Sequence, residues 1–210
     1  MKSTIIQALN DLAKTRQAFF SEADFQFAFS TVLQKILGKQ AKIYLERPVC
    51  GLGYTVDIWV KIGNEIYPIE LKYKTKLSTI VDNGEEIELA NHAAVDLGCY
   101  AYIKDIVRIE EIKNNMGEKK FGGGFAIMLT NEPLYYKDTK RNSSYQQFKI
   151  FENREITGNL SWGKTQTGNE FALKKKFPPL NLKDKYKISW FDYSIVENSP
   201  NFKYTITHIK

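Results

Sequence analysis

Residues 54–73 constrain the fold of this chain more than any other stretch, because they describe a β-hairpin with a defined register. Two runs of alternating apolar and polar residues flank Gly63-Asn64. Glycine at the first central position favours a two-residue type II′ turn, whose twist matches that of the flanking strands. A turn at this position places Asp57 directly opposite Glu70.

The hairpin has one apolar face and one face that carries chemically functional side chains. Side chains of a strand alternate between its two faces, so Asp57, Glu70 and Lys72 share the polar face, with Lys72 opposite Thr55. Facing Cβ atoms lie about 4.5–5.5 Å apart, which brings two carboxylates and one ammonium together. The predicted apolar face consists of Val56, Ile58, Val60, Ile62, Ile69 and Leu71.

Two carboxylates that face each other repel, so this pair requires a compensating positive charge. The candidates are the ammonium of Lys72 and a divalent cation. Carboxylate oxygens and water suit a hard cation such as Mg²⁺ or Mn²⁺, and nothing in the pattern suits zinc. Such a cation lowers the pKa of a bound water, and a neighbouring lysine could orient that water or hold negative charge in the transition state.

The pattern of Asp57, a twelve-residue spacer and Glu70-Leu71-Lys72 on an apolar hairpin resembles the PD-(D/E)XK phosphodiesterase superfamily, which has the restriction-endonuclease-like fold. The resemblance implies that Asp57 and Glu70 bind the metal, that Leu71 offers its backbone carbonyl, and that Lys72 assists the nucleophile. Val56 stands where the superfamily has its name-giving proline, a position that varies. The structural alternative is a hairpin with a solvated polar face.

A helix before the hairpin supplies the fourth candidate site residue. Ser21 is a favourable N-cap for a helix from Glu22 to about Leu37, which Gly38 ends. The resemblance implies that this helix contributes a further acidic residue to the metal site, and Glu22 is preferred over Asp24. The alternative remains open, since the helix dipole favours a glutamate in the first turn regardless of function.

The remaining patterns predict an α/β fold with a mixed central sheet, helices on both faces and a small C-terminal β extension. One domain of 210 residues is expected, with its core at about residues 20–130 and the extension at about 154–210. A polar stretch from residue 77 to residue 86, with a predicted turn at Asn83-Gly84, could form a mobile loop over the site. Further helices are predicted at 3–14, 88–114 and 142–153, and further strands at 42–47, 124–130, 160–162, 171–173, 186–193 and 202–209.

Charge is compatible with a nucleic-acid partner but does not establish one, since the net charge is only +6. Lys104, Asp105 and Arg108 lie close together at helical spacing, either as an exposed arrangement of charges or with a basic residue on phosphate. Lysines at 174–176, 183, 185 and 187 could form a nucleic-acid surface or protect a sheet edge. Glu46 could reach the site as a further acidic residue, or it could form a surface pair with the neighbouring arginine.

Cysteine usage and hydropathy predict a cytoplasmic protein without a membrane partner. Cys50 and Cys99 have no metal-binding spacing and are expected to be reduced and buried. No apolar run approaches about 18 residues, and the first twenty residues do not resemble a signal peptide. His92 and His208 are predicted to have structural roles.

The main functional hypothesis is a Mg²⁺- or Mn²⁺-dependent nuclease that acts on DNA in preference to RNA. A homodimer that cuts both strands is expected by analogy. The alternative is a catalytically silent module of the same fold that binds nucleic acid or a protein. A third possibility is a subunit of a defence or toxin system. Metal uptake through Asp57 and Glu70 distinguishes the first two hypotheses.

Overall fold

The computed structural model describes residues 1–82, 84–116, 120–140, 143–164 and 175–210. These residues form a mixed α/β structure with helices beside a mixed central sheet, which confirms the predicted α/β class. The helices are α1 (Lys2–Ala13), α2 (Glu22–Leu37), α3 (Val95–Asn114) and α4 (Pro133–Tyr136). The strands are β1 (Ala41–Pro48), β2 (Thr55–Ile62), β3 (Glu65–Lys74), β4 (Ser78–Asp82), β5 (Glu85–Leu89), β6 (Lys120–Phe121), β7 (Gly124–Thr130), β8 (Glu155–Leu160), β9 (Leu180–Lys187), β10 (Trp190–Ser194) and β11 (Phe202–Ile209).

The central sheet has the strand order β1-β2-β3-β7-β11-β10 and is mixed. Strands β3 and β7 are parallel, and the chain between them includes α3. The short strand β6 also runs parallel to β3, whereas the other neighbours in the central sheet are antiparallel. Strands β4 and β5 form one separate pair, and β8 and β9 form another.

Strand β7 shows why the sheet carries packed layers on both faces. Phe125, Ile127 and Leu129 belong to the apolar cluster that includes the buried side chains of α1 and α2. Ala126 and Met128, which alternate with them, belong to the cluster that includes α3 and the β8–β9 pair. Every residue of the strand is therefore buried, and the prediction of helices on both sheet faces is confirmed.

The β2–β3 hairpin has the predicted register. The pairs run from Ile62 opposite Glu65 to Ile58 opposite Ile69. Gly63 has a φ of +57° whereas Asn64 does not have a positive φ, as a type II′ turn requires at its two central positions. Val56 departs from the predicted apolar face. It packs with Trp59 and Ile66 in a third cluster instead of joining Ile58.

Helix α2 agrees with its sequence prediction at both ends. The hydroxyl of Ser21 accepts a hydrogen bond from the backbone N–H of Asp24 at 3.1 Å. Gly38 follows the last helical residue with a φ of +68°, a conformation that favours glycine. These two residues fix where the helix begins, and therefore where Glu22 lies.

The prediction for residues 77–114 is partly wrong. The long helix α3 begins at Val95, because Ile87 and Leu89 alternate into the core as part of strand β5. The expected mobile loop is a β4–β5 hairpin that contributes Ile80 to the same core. Gly84 has a φ of +83° at the connection, as the predicted turn requires, and Asn83 lies outside the described residues.

The second half of the chain also differs from expectation. The predicted helix at 142–153 is reduced to a single 3₁₀ turn at Gln146–Phe148 within the described residues. Strand β11 pairs with β7 and β10 pairs with β11, so both belong to the central sheet and not to an extension. Of the described strands in this half of the chain, only β8 and β9 pair outside the central sheet. The predicted strand at 171–173 and Lys174 lie outside the described residues.

The predictions for the two cysteines and the two histidines agree only in part with the structure. Cys99 is buried as predicted, but Cys50 is exposed in the glycine-containing connection between β1 and β2, and both are free thiols. His92 accepts a hydrogen bond from the backbone N–H of Thr75 at 3.0 Å, and His208 stacks on Phe125. None of the described helices has the length and apolar character needed to cross a bilayer.

Candidate active site

The candidate site lies where the β2–β3 ladder opens. Asp57 precedes Ile58 and Glu70 follows Ile69, which form the last pair of the ladder, and the two carboxylates occupy the gap beyond it. The Asp57 carboxylate accepts a hydrogen bond from the Leu71 backbone N–H at 2.6 Å. The Asp57 backbone N–H donates to the Glu70 carboxylate at 3.4 Å. The structure therefore brings together the two carboxylates that the hairpin register predicted.

Burial makes this carboxylate pair electrostatically unfavourable. Loss of solvent, together with the nearby charges of Asp105 and Asp57, raises the pKa of Glu70 from 4.5 to about 9, although Arg108 and Lys72 oppose the shift. Burial likewise raises the pKa of Asp57, against the opposing effects of Lys72 and the Leu71 N–H. The positive charges of Lys72 and Arg108 therefore do not fully offset the cost of burying two ionised carboxylates.

Lys72 is the cation of the hairpin and is held on several sides. Its ammonium lies 2.8 Å from the carboxylate of Asp105 and 3.9 Å from that of Glu22. It also donates to the backbone carbonyl of Leu71 at 2.8 Å. Burial opposes its charge, but Asp105, Glu22 and Asp57 outweigh that effect and raise the pKa of Lys72 above its ordinary value. Lys72 is therefore a charged donor at neutral pH.

Glu22 approaches the hairpin from the first turn of α2. One carboxylate oxygen accepts from the Tyr73 backbone N–H at 2.8 Å and lies 3.5 Å from the Lys74 ammonium. The other oxygen faces Lys72. Glu22 is thus brought to the site as predicted. Its competitor Asp24 instead forms a two-point ion pair with Arg16.

Helix α3 supplies two charged residues whose role the sequence left open. The side chain of Asp105 is only 5% exposed, which rules out an exposed arrangement of charges at this position. Burial raises its pKa, while Lys72 and Arg108 oppose the shift. The Arg108 guanidinium lies 3.1 Å from Glu70 and 3.4 Å from Asp105, and it stacks on the Tyr54 ring at 4.2 Å. A signal for Asp105 was present in the sequence, because it lies three residues after Tyr102 and four before Ile109, both of which are buried.

Gln26 is a further contact that the sequence did not indicate. Its side-chain amide donates to the backbone carbonyl of Asp57 at 2.6 Å and to the carboxylate of Glu46 at 2.7 Å. Gln26 is buried in α2, so it fixes the backbone that carries Asp57. Glu46 contacts the site through this amide and lies on the exposed edge strand.

An open cleft adjoins the carboxylate pair on the α3 side. Its volume is about 680 Å³. Arg108 links the cleft to the site, since the same guanidinium that contacts Glu70 forms part of the cleft wall. The other cleft residues considered below are Leu52, Tyr54, Lys104, Val107 and Glu111.

The oxygen atoms that could bind a divalent cation are the carboxylates of Asp57 and Glu70 and the carbonyl of Leu71. Within the described ranges, no group of three or more His, Cys, Asp or Glu side chains is arranged to hold a metal ion. Any protein-derived coordination at this position would therefore rely on two carboxylates and a backbone carbonyl.

Comparison with protein-family models, with curated proteins and with solved structures finds no match for this chain. The function must therefore be inferred from the residues and geometry of the site.

Proposed function

We propose that this protein is a Mg²⁺- or Mn²⁺-dependent nuclease of the PD-(D/E)XK type that hydrolyses phosphodiester bonds, with DNA preferred over RNA. The observation that carries this proposal is the carboxylate pair in the hairpin gap, in which Glu70 is buried and Asp57 is partly buried, and on both of which the charge of Lys72 acts. The mixed sheet, with α2 before the hairpin and α3 leading into β7, is compatible with a restriction-endonuclease-like fold.

The donor set fits a magnesium ion. Mg²⁺ is usually bound by one or two carboxylates and keeps several of its waters, so Asp57, Glu70 and the Leu71 carbonyl would suffice. Burial is the main cause that raises the pKa values of the two carboxylates, and the neighbouring carboxylates add to it, so a divalent cation would stabilise their ionised forms. When bound, the cation would supply a water of lowered pKa and polarise the phosphoryl oxygens.

The ion pairs of Lys72 determine its role in the proposed hydrolysis. Because its pKa is raised, Lys72 does not serve as a general base near neutral pH. As a charged donor it can orient the attacking water and stabilise negative charge on the phosphorus centre. Asp105 on α3 and Glu22 on α2 hold the ammonium in position, at 2.8 Å and 3.9 Å, and therefore act as positioning residues.

The test is cleavage of plasmid, linear duplex, single-stranded DNA and RNA with Mg²⁺ or Mn²⁺ by the wild type and by Glu70→Ala. Glu65→Ala is the matched control, because Glu65 lies on the same strand at the turn end of the hairpin. We expect metal-dependent cleavage by the wild type and the control, and at least a hundredfold loss in Glu70→Ala, as for other residues that stabilise developing charge. Equal cleavage by Glu70→Ala and the wild type would refute the assignment of the site.

One observation favours the silent binding module as a second candidate. The charges of the site are already paired within the chain, with Arg108 on Glu70 and Lys72 on Asp105. Titration with Mn²⁺ separates the two candidates. A nuclease should take up Mn²⁺ in a manner that Glu70→Ala abolishes, whereas a silent module needs neither the metal nor this carboxylate.

A further inference from the structure

The cleft beside Arg108 has a charge pattern along one face of α3. Lys104, Arg108 and Glu111 are spaced by four and three residues, so their side chains emerge on the same side of the helix. With a rise of about 1.5 Å per residue, Lys104 and Glu111 lie roughly 10 Å apart along the axis. Val107 lies between them, and Leu52 also lines the cleft. The cleft is thus basic at one end, acidic at the other and apolar between.

The two ends of the cleft offer different partners to a ligand. Lys104 is exposed and makes no ion pair within the part of the chain that the structure describes. Arg108 is about one-fifth exposed and faces the cleft beside it. At the other end, the exposed carboxylate of Glu111 accepts a hydrogen bond from the Tyr54 hydroxyl at 3.2 Å and has further lone pairs available.

We propose that this cleft binds one nucleotide of the substrate strand, with its phosphate at Lys104 and Arg108 and the N–H edge of its base at Glu111. This inference rests on the proposed nuclease function and specifies its substrate as an unpaired nucleotide. A volume of about 680 Å³ lies within the range of small-molecule pockets and is too small for a section of duplex. Phosphate and base edge are separated by a distance comparable to that between Lys104 and Glu111.

The acidic end distinguishes between bases. Guanine presents two adjacent N–H donors on its Watson–Crick edge, which one carboxylate can accept together. Thymine presents a single N–H between two carbonyl oxygens, which a carboxylate repels. The Glu111 carboxylate therefore favours guanine over thymine, by the same donor and acceptor matching that governs base recognition elsewhere.

Arg108 connects this subsite to the carboxylate pair. The guanidinium lines the cleft while it lies 3.1 Å from the Glu70 carboxylate, so only one side chain separates the two. A phosphate held at Lys104 would place the next phosphodiester group of the same strand near Asp57 and Glu70. The cleft thus sets which bond of the strand is presented to the site.

The test is fluorescence anisotropy in EDTA with two labelled single-stranded DNA 12-mers, one of alternating T and G and one of T alone. We expect the wild type to bind the TG strand about tenfold more tightly, the discrimination typical of a matched base contact. Lys104→Ala should weaken binding of both strands and reduce the salt dependence by about 0.7, the value for one phosphate contact on a single strand. Glu111→Gln should remove the preference for the TG strand.

Lys113→Ala is the matched control, because Lys113 is an exposed lysine on the same helix that does not line the cleft. If Lys104→Ala binds like Lys113→Ala, or if the wild type does not distinguish the strands or binds neither, the subsite is refuted. The assay contains no divalent cation and no hydrolysis, so such a result leaves the nuclease proposal standing. Failure of that proposal would instead appear as intact strand binding without cleavage.

Discussion

Replacement of Glu70 by glutamine should stabilise the metal-free protein, although it removes a central residue of the candidate site. The Glu70 side chain is completely buried and its pKa is raised from 4.5 to about 9. Between these pH values the folded state retains a proton that the unfolded state has lost. The stability of the wild type must therefore fall as the pH rises, and glutamine removes this dependence.

The size of the effect follows from the pKa values. One pKa unit corresponds to about 1.4 kcal/mol, so the 2.5 units between 4.5 and pH 7 give a gain of at most about 3 kcal/mol. The substitution also removes the ion pair with Arg108, which keeps its contacts with Asp105 and the Thr55 carbonyl. We therefore expect a net gain of about 1–2 kcal/mol at pH 7, or roughly 4 °C in melting temperature.

The assay is thermal unfolding followed by circular dichroism in EDTA at pH 5 and pH 7. The advantage of Glu70→Gln should be small at pH 5 and larger at pH 7. Glu65→Gln, on the same strand but at the turn end, should show no such pH dependence. A Glu70→Gln variant that is less stable than the wild type at both pH values would refute the reasoning and make Glu70 an ordinary structural partner of Arg108.

The same proteins in Mn²⁺ provide the second half of this test. A ligand present at a hundred times its dissociation constant stabilises the folded state by about 2.7 kcal/mol. This gain should occur in the wild type and be absent from Glu70→Gln, so that the order of stability reverses. An equal shift in both proteins would place the metal at another position.

Two further predictions concern the charges packed around α3. Lys72→Met leaves the buried Asp105 carboxylate without its ammonium, so we expect the free energy of unfolding, measured in urea, to fall by about 3 kcal/mol. Adding Asp105→Asn should restore most of this loss. A double variant no more stable than Lys72→Met would contradict this pairing. Glu110 accepts hydrogen bonds from the backbone N–H groups of Lys183 and Asp184 and from the Tyr186 hydroxyl, so Glu110→Gln should cost about 2 kcal/mol in the same assay. Its Mn²⁺ uptake should be unchanged, and a matching loss of metal binding would contradict a purely structural role.

Local patterns predicted the parts of the site that depend on neighbouring residues. The turn at Gly63-Asn64 determined the hairpin register, because side-chain alternation and turn type agree there. The N-cap Ser21 likewise determined where α2 begins, and therefore brought Glu22 to the hairpin. In both places one short stretch of sequence contains all the determining information.

The parts that were missed depend on contacts between distant segments. Asp105 and Arg108 have the spacing of an ordinary exposed pair, and only the packing of α3 against the hairpin buries them beside Glu70. Strand β11 completes the central sheet next to β7, from which it is separated by more than seventy residues. No local periodicity encodes such pairing, and for this reason the C-terminal strands resembled an extension.

The charges around the hairpin gap connect the stability prediction to the proposed chemistry. Four carboxylates and three cations form one linked network: Asp57, Glu70, Asp105 and Glu22 with Lys72, Lys74 and Arg108. With every group ionised the network has one net negative charge, which burial makes costly and which the raised pKa of Glu70 reflects. A divalent cation would reverse the sign to one net positive charge. The same site would then attract a phosphodiester group, so metal uptake should strengthen binding of the scissile phosphate beyond the binding that the neighbouring cleft provides without metal.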